Sequence, residues 1–282
     1  MLTDAISSEG YKLTRNRWTA FWSFLFAPLI SLVAGLGTLA YVVNKVPAEM
    51  RKMPQDISAA MLQRAFGVET PTYFIAMLFM LLGAAVIFGG DYRWETWRLI
   101  APRNSRTNIF LGKIAVLVGA VLSVMLLLVL TGLVLALIGA GVNGAPMTWT
   151  FGAKDSYWLV LASLFLVSSL QLIQAGAIVA LASVLTRSII VGLLAPLFIG
   201  AVQMAMQAQV QQGGIPELWQ IMLLPGMAAD ILRQHVGSAL ISGQQIVPPE
   251  LAQKALVSVL LWIVGGFGAA LAIFQRQDLS KE

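Results

Sequence analysis

Polar and apolar positions divide this chain into long charge-free blocks separated by short charged ones. Stretches with no Asp, Glu, Lys or Arg run for 27 residues after Arg17, 21 after Glu69, 40 after Lys113, 31 after Asp155, 29 after Arg187 and 21 after Lys254. A helix crossing a bilayer needs about 20 mostly apolar residues. The pattern therefore predicts an all-α membrane protein with six transmembrane helices, at about 18–43, 70–90, 110–142, 156–186, 188–206 and 255–275. In the third, the most membrane-like part is Ile114–Val142. The first span is too long for the ~7–15-residue core of a signal peptide, and Glu9 ahead of it fits one poorly, so it is expected to be retained.

The stretches between spans have their own patterns. Residues 1–17 place Leu2, Ile6 and Leu13 on one helical face, with Asp4, Glu9, Lys12 and Arg15 largely elsewhere. That predicts an interfacial helix, anchored by Lys12, Arg15, Arg17 and Trp18. The charge-free run Leu218–Ala229 has only 12 residues, too short to cross. With the break at Pro225-Gly226, segment 207–254 is expected to hold a re-entrant helical pair before the last span. No stretch accommodates a soluble domain, so 1–282 is read as one membrane domain.

Charge orients it. Six spans leave both termini on one side. That side collects eleven basic residues (Lys12, Arg15, Arg17, Arg93, Arg98, Arg103, Arg106, Lys113, Arg187, Arg276 and Lys281) against seven on the other. The positive-inside rule makes the richer side cytoplasmic. Composition agrees with the class: 58% of residues are hydrophobic and only 11% charged, far below the ~25% charge of soluble domains. No cysteine is present, which excludes disulfides, zinc–thiolate sites and thiol nucleophiles. A lone histidine, His235, excludes a multi-histidine metal site within one chain, and no H-E-x-x-H motif occurs. Gly112-Lys113 is followed by Ile114, so no Walker-type phosphate loop is encoded.

Within the apolar bodies no ionisable residue is expected, which argues against an ion-coupled transporter. The polar groups there are amides. Gln171 and Gln174 lie three apart, and Gln203, Gln207 and Gln211 repeat every four. An amide in hydrocarbon must find a partner, so these side chains should face protein or water. Interhelical hydrogen bonding and the wall of a translocation path both satisfy that requirement. Pro196 falls midway along the fifth span, and Gly265, Gly266, Gly268, Ala269 and Ala270 permit close helix contact in the last.

The segment 91–109 is the most distinctive. Asp91, Tyr92, Arg93, Trp94, Glu95, Thr96, Trp97 and Arg98 alternate aromatics with charges, then Pro102 breaks the run before Arg103, Ser105 and Arg106. Trp and Arg are enriched where proteins grip partners. The string from Phe88 to Leu111-Gly112-Lys113 resembles the loop after the second span in bacterial type-2 ATP-binding-cassette (ABC) exporter permeases. The ending Phe274-Gln-Arg276-Gln-Asp278-Leu279 is similar to theirs as well. One departure is Glu95, where relatives commonly carry Gly; a carboxylate there favours continuous helix.

The resemblance implies a permease subunit in the bacterial inner membrane that pairs with a second copy or a related permease. It docks two copies of a cytosolic ATP-binding-cassette ATPase. ATP and Mg would be held by that partner, with no cofactor or metal on this chain and no nucleic acid involved; membrane lipid is the other contact. Asp91 to Arg98 would couple the ATPase to the spans, with Arg103 and Arg106 in support. Gln171, Gln174, Gln203, Gln207 and Gln211 would line the path of a hydrophobic or amphipathic cargo moving outward. The same family layout also admits a mechanotransmission or immunity subunit without a substrate channel. A membrane enzyme lacking known motifs is a third and weaker reading.

Overall fold

The computed structural model describes residues 1–66, 71–93, 104–154, 156–213, 217–237 and 247–277; the side chains of 71–76 and 207–213 fall outside that description. Helix α1 (Leu2–Arg15) ends one residue before α2 (Arg17–Lys45), and Asn16 caps the latter by accepting from the Thr19 amide. Helix α2 contains a π turn at Phe21–Leu25. Helix α3 (Ile57–Phe66), α4 (Pro71–Arg93), α5 (Arg106–Asn143), α6 (Tyr157–Thr186), α7 (Ile189–Gly213), α8 (Leu218–Leu223), α9 (Pro225–Gly237) and α10 (Pro249–Arg276) follow.

Five of these helices are long and apolar enough to cross a membrane: α2, α5, α6, α10 and the Ile189–Met206 part of α7. The chain is thus an all-α, multi-pass membrane protein. Each apolar run forms helix for one physical reason: in hydrocarbon, backbone N–H and C=O groups must be satisfied within the segment. The remaining expected span coincides with the 23-residue helix α4.

Helix α6 is the axis. Its most apolar window is 56% buried, against 17% for α2 and for α7. It packs on α10, α7, α4 and α9. Small residues set the closest approaches: a Cβ on Gly266 would stand 3.0 Å from that of Ala177, and one on Gly176 would strike Leu117. The turn between α6 and α7 needs only Arg187 and Ser188, and Arg187 adopts the left-handed conformation (φ 56°) that ends α6.

Two elements differ from the sequence-based expectation. Segment 44–70, which lies between the first two expected spans and carries no span of its own, holds helix α3 at Ile57–Phe66, packed lengthwise on α5. Gly132 permits this, since a Cβ there would meet the Met61 carbonyl oxygen at 2.8 Å. Arg64 donates to the Leu135 carbonyl at 2.9 Å. At ~1.5 Å per residue the 38 residues of α5 extend about 57 Å, well beyond a ~30 Å hydrocarbon layer, so room remains for α3 along one end. Two-residue strands β1 (Gln55–Asp56) and β2 (Met147–Thr148) pair in parallel beside it. Asp56 caps α3 through the Ser58 and Ala59 amides and also accepts from the Phe151 amide at 2.6 Å, so one carboxylate holds both segments.

The second difference is in segment 207–254. Helix α7 runs on to Gly213, and the break between α8 and α9 falls at Leu224, with Pro225 opening α9. The last carbonyls of α8 would be orphaned. Instead Ser258 donates to Ile221 at 2.8 Å and Trp262 to Met222 at 2.9 Å, pinning the short helix to α10.

Candidate functional site

The two described ends of segment 91–109 lie at the ends of α4 and α5, and each is tied into the helix bundle. The upstream end holds the largest concentration of buried charge among the described residues. Lys113 lies two turns into α5 and is 2% exposed. Its ammonium donates to Glu9 at 3.0 Å, to the Ile87 carbonyl at 2.7 Å and to Asp91. Lys12 donates to Glu9 at 2.6 Å and to Asp91 at 3.2 Å. The four charges alternate around a closed ring, with each carboxylate contacting both ammonium groups. The ring is neutral as a whole, and every donor on Lys113 has an acceptor. Those are the conditions under which a buried ion cluster is tolerable. A cavity of about 220 Å³ adjoins it.

The ring joins three elements that are distant in sequence: α1 through Glu9 and Lys12, α4 through Asp91, α5 through Lys113. Gly112 makes this possible. A Cβ at that position would stand 3.0 Å from the Ala5 carbonyl carbon and 3.1 Å from its Cβ, so a side chain there would push α1 outward from α5. The packed face of α1 is accordingly formed by Ala5 and Glu9, with Leu13 beside the core, while Leu2 and Ile6 are exposed. This corrects the face expected from periodicity, because ion pairing and the Gly112 contact, rather than apolar area, orient the helix.

Behind the ring, the Tyr92 hydroxyl donates to Gln277 Oε1 at 2.6 Å, and Gln277 Nε2 donates to the Val184 carbonyl at 2.7 Å. The downstream end is held by Arg106, whose guanidinium donates to the carbonyls of Gln275 (2.9 Å) and Gln277 (2.6 Å) at the C-terminal end of α10. A cation at a helix C-terminus also meets its dipole favourably. Ser105 caps α5 through the Asn108 amide.

Of the sequence-predicted coupling residues, Asp91, Tyr92 and Arg106 are therefore engaged within the chain, and Arg93 is exposed. Trp94, Glu95, Thr96, Trp97, Arg98 and Arg103 lie outside the described residues. Lys113, Glu9 and Lys12 complete the site and are absent from the sequence-derived set. A lysine at the edge of an apolar run reads as a topology charge, and no short-range pattern links it to Glu9. Lys113 directly precedes the apolar body Ile114–Val142, in which no ionisable residue occurs.

The amides are placed differently from a common stripe. Gln203 is buried and accepts from the Gly226 amide at 3.1 Å, joining α7 to α9. Gln174 is 2% exposed, inside the bundle. Gln171 is half-buried on the same helix. The side chains of Gln207 and Gln211 fall outside the described residues. His235 donates through Nδ1 to the Val247 carbonyl at 3.0 Å. Among the described residues no three His, Asp or Glu side chains gather as metal ligands.

No protein-family model matches this sequence, and no curated protein matches it.

Proposed function

We propose that this chain is the membrane-embedded permease subunit of a bacterial type-2 ABC exporter. In this reading α4 is the second of six spans, α8 and α9 form the re-entrant pair, and both termini face the cytoplasm. The chain moves a hydrophobic or amphipathic molecule outward. Its energy comes from a separate ATPase that supplies ATP and Mg, since the sequence holds no phosphate-binding loop of the Walker type.

The observation that supports this most is the clamping of segment 94–103 at both ends. Upstream, Asp91 is locked to α1 and α5. Downstream, Arg106 is locked to the end of α10. A push on the intervening residues would reach four helices through these two ends. Asp91, Tyr92 and Arg106 then act as positioning residues, while Trp94, Trp97 and Arg98 are left to touch the partner. The test is affinity isolation from native membranes with wild type and Trp97→Ala/Arg98→Glu. Wild type should bring down an ATPase subunit, and the double variant should lose it while still inserting. Absence of any ATPase from the wild-type eluate refutes the reading.

One observation favours a second reading, a mechanotransmission or immunity subunit without a channel. Gln174 and Gln203 are buried within a single protomer, and Gln203 holds another helix. The Gln203 amide then serves packing, not a lumen. Substrate accumulation in inverted vesicles separates the two: ATP-dependent uptake supports an exporter, and ATP hydrolysis without uptake supports the second.

A further inference from the structure

Between α2, α4 and α7 lies a cavity of about 570 Å³, within the ~300–1,000 Å³ range of small-ligand sites. Its inner wall is aromatic. Trp22, in the π turn, stacks on Phe79 with ring centroids 5.6 Å apart, and Phe26 packs on the same ring at 4.4 Å. π turns recur where a helix has been adjusted for a ligand. Ile189 faces them from α7.

One part of the lining is polar, and there every polar group is a hydrogen-bond donor. Arg93 is exposed and makes no hydrogen bond or ion pair among the described residues. Asn16 spends its Oδ1 on the α2 cap, which leaves its NH2 group, and the Thr19 hydroxyl stands beside it. No carboxylate lines this cavity. The acidic groups nearby, Glu9 and Asp91, are consumed in the ion ring and line the separate 220 Å³ chamber, which shares the Asn16–Thr19 wall.

We infer that this slot binds an anionic phospholipid, with the phosphate on Arg93 and headgroup hydroxyls toward Asn16 and Thr19, and one acyl chain along Trp22, Phe79 and Ile189. Two observations choose a lipid over a soluble anion. The slot lies between α2 and α7, the two least buried apolar helices, so it opens toward the bilayer. Its lining also includes Trp18, and Lys12 lines the adjoining chamber, the basic and aromatic pairing that marks the headgroup level. The site needs no ATPase and does not depend on what the chain transports.

The test is native mass spectrometry of the full chain released from nanodiscs containing equal mole fractions of phosphatidylglycerol and phosphatidylcholine. One basic contact at the headgroup level gives about a five-fold preference. Wild type and Arg93→Lys should retain one phosphatidylglycerol per chain with about that excess. Arg93→Gln should bring the ratio close to one. Val86→Trp, which fills the slot, should lose both lipids. Lys154→Gln removes an exposed charge elsewhere and should leave the ratio unchanged. The inference is overturned if wild type shows no preference, if Arg93→Gln keeps it, if Lys154→Gln abolishes it equally, or if the slot retains a non-lipid amphiphile. Should Val86→Trp fail to fold, the three charge substitutions at exposed positions decide alone.

Discussion

Replacing Lys113 by Met tests the ion ring directly. The ammonium is 2% exposed and donates three hydrogen bonds, to Glu9, to Asp91 and to the Ile87 carbonyl. Met fills a similar volume, so packing is nearly conserved and the change isolates charge. Two buried carboxylates would remain with Lys12 as their one common counter-ion, and Lys12 is 38% exposed and screened by solvent. Removing one partner of a buried ion cluster costs about 3–5 kcal/mol, because it strands charge that water can no longer solvate. For a chain of this size that corresponds to a drop in Tm of roughly 6–20 °C. Tryptophan fluorescence of the detergent-solubilised chain during heating reads it. The decisive comparison is the triple variant Glu9→Gln/Asp91→Asn/Lys113→Met. With the stranded carboxylates neutralised, most of the loss should return, since removing all members of a buried cluster is often nearly neutral. A single variant within about 2 °C of wild type, or a triple variant as unstable as the single, refutes the argument that charge compensation holds α1 in place.

Gly112→Leu should force α1 away from α5, at about 1–3 kcal/mol for overpacking, and limited proteolysis should then cut within Leu2–Arg15 while sparing the rest. Arg106→Ala removes a charged donor from the carbonyls of Gln275 and Gln277; losing such a bond costs about 1.5–3 kcal/mol, and hydrogen exchange of the residues at the end of α10 should accelerate in this variant but not in Arg276→Ala. Burial of Asp56 works to raise its pKa, but hydrogen bonds from the Ser58 hydroxyl and from the Phe151, Ala59 and Ser58 amides outweigh it and hold the carboxyl below its ordinary 3.8. Because the folded pKa is the lower one, its stabilising effect is complete above that ordinary value and is lost as the pH falls through the folded pKa. Exchange at the Ser58 and Phe151 amides should therefore rise below about pH 3.8 in wild type, while Asp56→Asn should show weaker protection that no longer varies over the same window.

Much of this architecture was legible because hydrocarbon leaves a backbone few options. Charge-free runs of 21 to 40 residues mark the long helices, and most observed ends fall within four residues of the expected spans. Segment 44–70 was not legible. Ile57–Phe66 is short and carries Gln63 and Arg64, so nothing local separates it from a polar loop; its helix is stabilised by α5, through the space above Gly132 and the Leu135 carbonyl. Segment 91–106 stood out by composition, but which of its residues turn inward did not.

What the amino-acid order determined alone is the set of long helices and the class of protein, because burying unsatisfied peptide groups in lipid costs more than any competing preference. What tertiary structure decided is the pairing of polar groups. Glu9 and Lys113 are 104 positions apart, and Arg106 and Gln277 are 171 apart. Such partners are chosen by how closely helices can approach, and here that distance was set by the missing side chain of Gly112.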